Sequence, residues 1–253
     1  MINIMDYPLL VLVLSFIVLS LSARIGVFII VRWRKPEEDL REDLGVVLSA
    51  SLTLLALIIG FSFAMAVSRY DQRKIYEEAE ANAIGTAYVR ADLLPAANAE
   101  KVRTLLRDYT EQRILFYTTR GEEQVRPIDA RTARLQAELW SAVAVPALAR
   151  PEPVIALAVS GMNDVLSSQG NTQAAWWNRI PTAAWSLMAA IAVCCNLLFG
   201  YSARNAKAGE ALRLVLPFVV SIAFFLIADI DSPRGGLIRV NPQNLLSLLD
   251  GVK

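Results

Sequence analysis

The segment IIGFSFAMAVSRYDQRK, residues 58–74, decides the fold, because an apolar helical pattern passes directly into a polar one. The segment contains no proline, and nothing interrupts the pattern where its character changes. Its first ten residues suit the hydrocarbon core of a bilayer, whereas the arginines, tyrosine, aspartate and glutamine that follow suit water. The sequence therefore predicts one helix that crosses a membrane and continues into an extramembrane domain.

The composition of the whole chain also indicates a membrane protein. Hydrophobic residues make up 55% of the 253 residues, and the mean hydropathy is +0.42. The net charge is +1 with both signs mixed along the chain, so no nucleic-acid-binding surface is visible. Histidine, the commonest general base and metal ligand, is absent from the sequence. The adjacent Cys194 and Cys195 lie in an apolar run and are interpreted as small apolar residues.

Four apolar runs are each long enough to cross a bilayer as a helix. They cover about residues 7–31, 44–67, 180–199 and 212–230. The predicted fold is an all-α membrane protein with four transmembrane helices and a helical polar domain inserted between the second and third. The predicted divisions are a first helix pair (1–67), an extramembrane domain (68–178), a second helix pair (179–231) and a C-terminal tail (232–253) that packs on the extramembrane domain.

The extramembrane domain is predicted to consist of helices. After the extension of the second span to about residue 93, apolar residues recur on one helical face at Val102, Leu105, Leu106, Tyr109 and Phe116. Residues 119–127 are predicted to form a loop, followed by a helix that Asp129 caps. The RPEP sequence at 150–153 predicts a further break before another helix.

Charged residues at several places have two interpretations each. Arg24, inside the first span, either pairs with Glu210 or extends to the membrane surface. Glu77 and Glu80 share a helix face, which favours surface pairing over a central ligand site. Asp229 and Asp231, with Arg234 to pair with them, favour a structured membrane exit over a ligand site. The Trp176–Trp177 pair is typical of the membrane interface, with ordinary packing as the alternative.

The orientation follows from lysine and arginine in the short connections. Residues 32–43 carry Arg32, Arg34, Lys35 and Arg41, and the last connection carries Arg204, Lys207 and Arg213. The N-terminal tail before the first span has no basic residue. These charges place both short connections in the cytoplasm, and both termini and the polar domain outside the bacterial plasma membrane.

Two longer stretches carry a family resemblance. GFSFAMAVSRYDQRKIYEEAEANAIGTAYVRADLLP (60–95) and DSPRGGLIRVNPQNLLSLL (231–249) resemble the bacterial bestrophin-like family, which is distantly similar to bestrophins. Bestrophins are pentameric anion channels whose second transmembrane helix lines a narrow apolar neck and whose polar domain is cytoplasmic. The resemblance places Phe61 on the neck phenylalanine, and Arg69 and the Arg73–Lys74 pair on basic positions at the exit. The segment 62–68 departs from the family pattern because it lacks the polar residues found there.

The resemblance implies a homo-oligomeric, bestrophin-like ion channel, with a pentamer and anion conduction expected. Thr53, Leu57 and Phe61 would line the pore, and Arg69 and Arg73 would form its mouth. The alternative is a non-conducting membrane sensor or scaffold whose helical domain binds a ligand or partner. In that case Ser49, Thr53, Ala56, Gly60 and Ala64 would form a close-packing face between helices, and Arg69 would pair with Asp71 or Glu77.

An enzyme is not expected, because no nucleophile elbow, phosphate-binding glycine loop or metal-ligand spacing occurs in the sequence. No catalytic residue, metal site or cofactor is therefore predicted, and the calcium-binding acidic cluster of animal bestrophins has no clear match. The expected partners are further copies of the chain, the lipid bilayer and small inorganic anions.

Overall fold

The computed structural model describes the backbone of residues 4–33, 38–202 and 210–252, and the side chains of residues 4–29, 42–201 and 213–252. These residues form eight α-helices and no strand. The helices are α1 (Pro8–Trp33), α2 (Glu38–Arg90), α3 (Ala96–Thr118), α4 (Glu122–Ala149), α5 (Pro153–Trp177), α6 (Thr182–Ser202), α7 (Glu210–Asp231) and α8 (Gln243–Gly251), with short 3-10 turns at Ile4–Asp6 and Ala91–Leu93.

The chain divides into two compact units. Unit 1 comprises Met1–Ser68 and Arg179–Ile238, and unit 2 comprises Arg69–Asn178 and Arg239–Lys253. Four stretches of the described chain are long and apolar enough to cross a membrane: Pro8–Ile29, Glu42–Leu93, Pro153–Tyr201 and Arg213–Asp231. The predicted fold class, an all-α protein with four transmembrane helices, is therefore confirmed.

Unit 1 is built around the contacts of α1 with α6 and α7. The phenylalanine rings of Phe16 and Phe218 meet edge to face with 6.1 Å between their centroids, and Trp185 and Phe224 meet in the same way. Gly26 and Gly200 bring α1 and α6 close together. A Cβ added at Gly26 would lie 2.9 Å from the backbone nitrogen of Tyr201, which is closer than such atoms normally approach. Because the neighbouring atom belongs to the backbone, it cannot rotate away as a side chain could.

Substitution of Gly26 with alanine is expected to lower the melting temperature of the purified protein, because overpacking against a backbone costs about 1–3 kcal/mol. Gly45→Ala is the matched control, since an added Cβ there meets nothing within 4 Å. Alanine also favours the helix by about 1 kcal/mol over glycine, so the control should melt at or slightly above the wild-type temperature. Equal melting of the two variants would contradict the close helix contact.

Unit 2 has its own hydrophobic core, formed by α3, α4, α5 and the last part of α2. The predicted apolar face of α3 is confirmed, because all five of its residues are buried. Trp176 belongs to this core and lies against the rings of Phe116 and Tyr117, with centroid distances of 4.8 and 5.5 Å. The membrane-interface prediction is therefore wrong for Trp176, whereas Trp177 is exposed.

The beginning of α4 corrects a second prediction. The predicted loop at 119–127 is shorter than expected, because α4 begins at Glu122 and only residues 119–121 lie between α3 and α4. Asp129 therefore lies within the helix rather than at its cap. Two glutamates in the first turn stabilise the positive end of the helix dipole, and the helix continues through Pro127 in its second turn. The break at 150–153 is confirmed, because α4 ends at Ala149 and α5 begins at Pro153.

Candidate pore helix and buried carboxylates

Helix α2 has a buried face and an uncovered face within unit 1. Leu55, Ser62 and Ala66 follow one another at helical spacing and are buried. Thr53, Leu57 and Phe61 lie on another face and are exposed, Phe61 by 63%. Of the residues in the most apolar 18-residue stretch of α2, only 6% are buried, compared with 28% in the corresponding stretch of α1 and 50% in that of α7. The chain thus leaves the expected pore-lining residues of α2 uncovered.

The alternative packing face of α2 is also uncovered. Ser49, Ala56, Gly60 and Ala64 are exposed, and an added Cβ at Gly60 would meet nothing within 4 Å. Exposure within one chain therefore fits both a pore wall and a contact between copies of the helix.

The two basic residues expected at the mouth differ in environment. Arg69 is half-buried. Arg73 is only 1% exposed, and its Nε donates a hydrogen bond to the carbonyl oxygen of Ala175 at 3.4 Å. Arg73 is thus part of the interior of unit 2. The exposed charged residues of α2 next to it are Asp71, Lys74 and Glu78.

Glu80 is the centre of a buried polar cluster in unit 2. Its carboxylate accepts hydrogen bonds from Arg113 Nε at 2.5 Å and from the hydroxyls of Tyr117 and Thr172, each at 3.2 Å. The side chains of Glu80 and Arg113 are both 0% exposed. The surface pairing expected for Glu80 is therefore wrong, because the carboxylate joins α2 to α3 and α5 inside the core.

Burial and the Glu80 charge shift the proton affinities of the neighbouring groups. Burial alone would lower the pKa of Arg113, but the nearby Glu80 carboxylate outweighs it and the pKa is raised. Burial raises the pKa of Tyr117 and of Tyr109 well above the usual tyrosine range, and the Glu80 charge raises both further. The cluster thus holds a charged arginine and two neutral phenols at physiological pH.

Glu77 is also buried, and its carboxylate caps α8. It accepts hydrogen bonds from the backbone nitrogens of Asn244 and Leu245, both at 3.0 Å, and from the Asn244 side chain at 2.6 Å. A carboxylate at a helix N-terminus satisfies unpaired N–H groups and favours the helix dipole. At the other end of α8, Arg107 Nε donates to the carbonyl oxygen of Val252 at 2.7 Å. Glu77, like Glu80, is an internal residue rather than a surface one.

Two aspartates organise the end of α7 in unit 1. Asp229 accepts hydrogen bonds from the backbone nitrogens of Leu237 and Ile238 at 2.7 and 2.9 Å, and Asp231 accepts from that of Ile180 at 3.2 Å. Both carboxylates are buried. Asp229 thus holds the turn after α7, and Asp231 joins the end of α7 to the residues just before α6. These contacts confirm the structured exit.

The structure describes the side chain of only one member of the predicted Arg24–Glu210 pair. Arg24 is exposed on α1, whereas the side chain of Glu210 lies outside the described residues. In the part of the chain that the structure describes, no group of three or more acidic or cysteine side chains could hold a metal ion.

The chain is similar to known proteins both in sequence pattern and in fold. The family model described as the bestrophin-like domain matches residues 14–245. A bacterial bestrophin homologue from Klebsiella pneumoniae has a similar crystal structure, with a TM-score of 0.63 at 14% identity over 94% of this chain and 98% of that one. Two variants of a homologue from this organism give TM-scores of 0.64 and 0.65, at 14% and 12% identity, over 95% of this chain and 93% and 97% of theirs. No curated protein sequence matches the chain.

Proposed function

The chain belongs to the bestrophin-like family of membrane proteins, and from this premise we propose that it forms a homo-oligomeric ion channel lined by α2. The observation that carries the proposal is the uncovered apolar face of α2, with Thr53, Leu57 and Phe61 on it. Several copies of this face around a common axis would form a ring. Apolar rings of this kind control ion passage by excluding water from a narrow constriction.

The number of copies and the permeant ion follow from the resemblance to bestrophins. We propose a pentamer and small inorganic anions, with Arg69 as the basic residue at the mouth. Arg73 is left out of the mouth because its side chain is buried and bonded to Ala175. Arg69 thus becomes the residue on which anion preference depends.

Ion flux from vesicles containing the purified protein tests this function. We expect protein-dependent flux and, in a potassium chloride gradient, a reversal potential near that of chloride, which Arg69→Gln shifts towards zero. A reversal potential near that of potassium would mean that the channel conducts cations instead of anions. In that case Asp71, which is exposed on α2, would attract the cations, and Asp71→Asn should move the reversal potential towards zero. A folded protein without flux would overturn the channel and favour the sensor or scaffold.

The mass of the protein in detergent tests the oligomer separately. A mass of five chains supports the pentamer, whereas a monomer or dimer contradicts the ring.

The charges of the short connections also predict that unit 2 faces the outside of the plasma membrane. A cysteine at Gly121, in a background without Cys194 and Cys195, is therefore expected to react with a membrane-impermeant thiol reagent in whole cells. The position tolerates a side chain, because an added Cβ meets only the Gln124 side chain, at 3.5 Å. Glu42→Cys, near the opposite end of the second span, is the control and should react only after lysis. The reverse pattern would place unit 2 in the cytoplasm.

A further inference from the structure

The end of α7 and the turn that follows it, residues 232–238, have acidic groups inside and apolar groups outside. Asp229 and Asp231 are buried, and Ser232 in the turn is only 1% exposed. Leu237 is 78% exposed, and Ile238 beside it is also exposed. A turn surrounded by water usually has the reverse arrangement, because charged side chains are mostly found at the surface. The outward apolar side chains therefore indicate apolar surroundings.

The N-terminal turn of unit 1 packs against this turn and repeats the arrangement. Gly235 lies directly against it, since an added Cβ would overlap the carbonyl oxygen of Asp6. The Asp6 carboxylate accepts a hydrogen bond from Arg179, whereas Ile4 and Tyr7 are exposed. Both turns thus expose apolar side chains at the same end of unit 1. These exposed residues, which we call the apolar rim, are Ile4, Tyr7, Leu237 and Ile238.

Hydrogen bonds hold Leu237 beside the last turn of a membrane-spanning helix. Its backbone nitrogen and that of Ile238 donate to the Asp229 carboxylate, at 2.7 and 2.9 Å. Asp229 belongs to the last turn of α7, within the stretch Arg213–Asp231 that is apolar enough to cross a membrane. The chain after α7 therefore folds back beside the helix instead of continuing away from it. Leu237 is thus level with the end of the span rather than beyond it.

The apolar rim continues an exposed face of α1. Tyr7 comes directly before the helix, and large aliphatic side chains follow it at spacings of three and four residues, which keeps them on one face. These exposed side chains are Leu10, Leu14, Ile17 and Leu21. Faces that pack against another helix in a membrane are usually rich in small residues, whereas these residues are all large. The face therefore suits acyl chains, and a tyrosine ring at its end suits the headgroup region.

The length of α1 places the apolar rim at the surface of the bilayer. The stretch Pro8–Ile29 has 22 residues and is about 33 Å long as a helix. This length matches a hydrocarbon core of about 30 Å, so Tyr7 lies where acyl chains meet headgroups. We infer that the apolar rim is a lipid-binding surface, on which Leu237 and Ile238 insert among the acyl chains of one leaflet. Its partner is the phospholipid bilayer rather than a second copy of the chain.

Fluorescence quenching of the full chain in phosphatidylcholine vesicles tests this inference. Leu237→Cys, in a background without Cys194 and Cys195, is labelled with a thiol-reactive bimane. One quencher is a lipid that carries a nitroxide near the headgroup end of its acyl chain. The other is iodide, present on both sides of the membrane so that the orientation of the protein does not affect the result. We expect strong quenching by the lipid and weak quenching by iodide.

Leu148→Cys, labelled in the same way, is the matched control. Leu148 is 84% exposed on α4, a helix outside the four stretches that can cross a membrane. Iodide should quench this label, so the ratio of lipid quenching to iodide quenching should be several-fold higher at Leu237. The inference is overturned if both labels give the same ratio, which would place the turn in water. It is also overturned if neither quencher reaches Leu237, because a second copy would then cover the apolar rim. Neither outcome depends on whether the protein conducts ions.

Discussion

Arg113→Met is expected to lower the free energy of unfolding of unit 2 by roughly 3–5 kcal/mol, because it leaves the Glu80 carboxylate buried without its cation. Both side chains are fully buried, and the Glu80–Arg113 hydrogen bond is 2.5 Å long. No water can reach the carboxylate to replace the lost charge. Denaturant unfolding of the full chain, followed by tryptophan fluorescence, measures the loss because Trp176 lies in the same core.

A matched ion pair and a double variant show whether burial causes the effect. Arg131 and Asp108 lie 4.0 Å apart with side chains 46% and 48% exposed. Arg131→Met should therefore cost at most about 1 kcal/mol. Adding Glu80→Gln to Arg113→Met removes the stranded charge and keeps an acceptor for Tyr117 and Thr172, so stability should largely return. A double variant as unstable as Arg113→Met would contradict this explanation.

Phe61→Ala is expected to raise the ion flux through reconstituted protein, because it removes the largest side chain of the proposed apolar ring. A wider and less apolar constriction stays wet more readily and conducts better. Vesicle flux per oligomer, measured at equal protein content, gives the comparison with the wild type.

Phe63→Ala is the matched control for this prediction. Phe63 is also exposed on α2 but points away from Phe61, since two residues correspond to about 200° of helical rotation. Truncation of Phe63 should leave the flux unchanged. Equal effects of the two variants would mean that Phe61 acts through general packing rather than as part of a pore wall.

The spans and the apolar face of α3 were predictable from sequence. Lipid leaves the backbone of an apolar run no partner but itself, so these runs must be helical. Helical periodicity at Val102, Leu106 and Tyr109 likewise indicates a buried face without any tertiary information.

The buried carboxylates were not predicted, because charged residues at helical spacing fit an exposed face as well as an internal one. A signal was nevertheless present. Arg73, Glu77 and Glu80 continue at spacings of four and three into Ile84 and Ala87, which are buried apolar residues. A charged residue that extends an apolar stripe is thus a candidate for a buried, paired group.

The start of α4 and a contact between α4 and α5 show two other limits. Pro127 suggests a break, but α4 begins at Glu122 and continues through the proline. Gln136 of α4 donates a hydrogen bond to Gln169 of α5 at 3.3 Å, and no sequence spacing reports that contact.

Single-channel recording of Leu57→Cys, in a background without native cysteines, tests the α2 pore most directly. The account predicts a current that changes stepwise when a hydrophilic thiol reagent is added, because Leu57 would line the pore. Leu55→Cys, on the buried face of α2, should give a current that the same reagent leaves unchanged. Currents from both variants that respond alike, or folded oligomers without any current, would contradict a pore lined by α2.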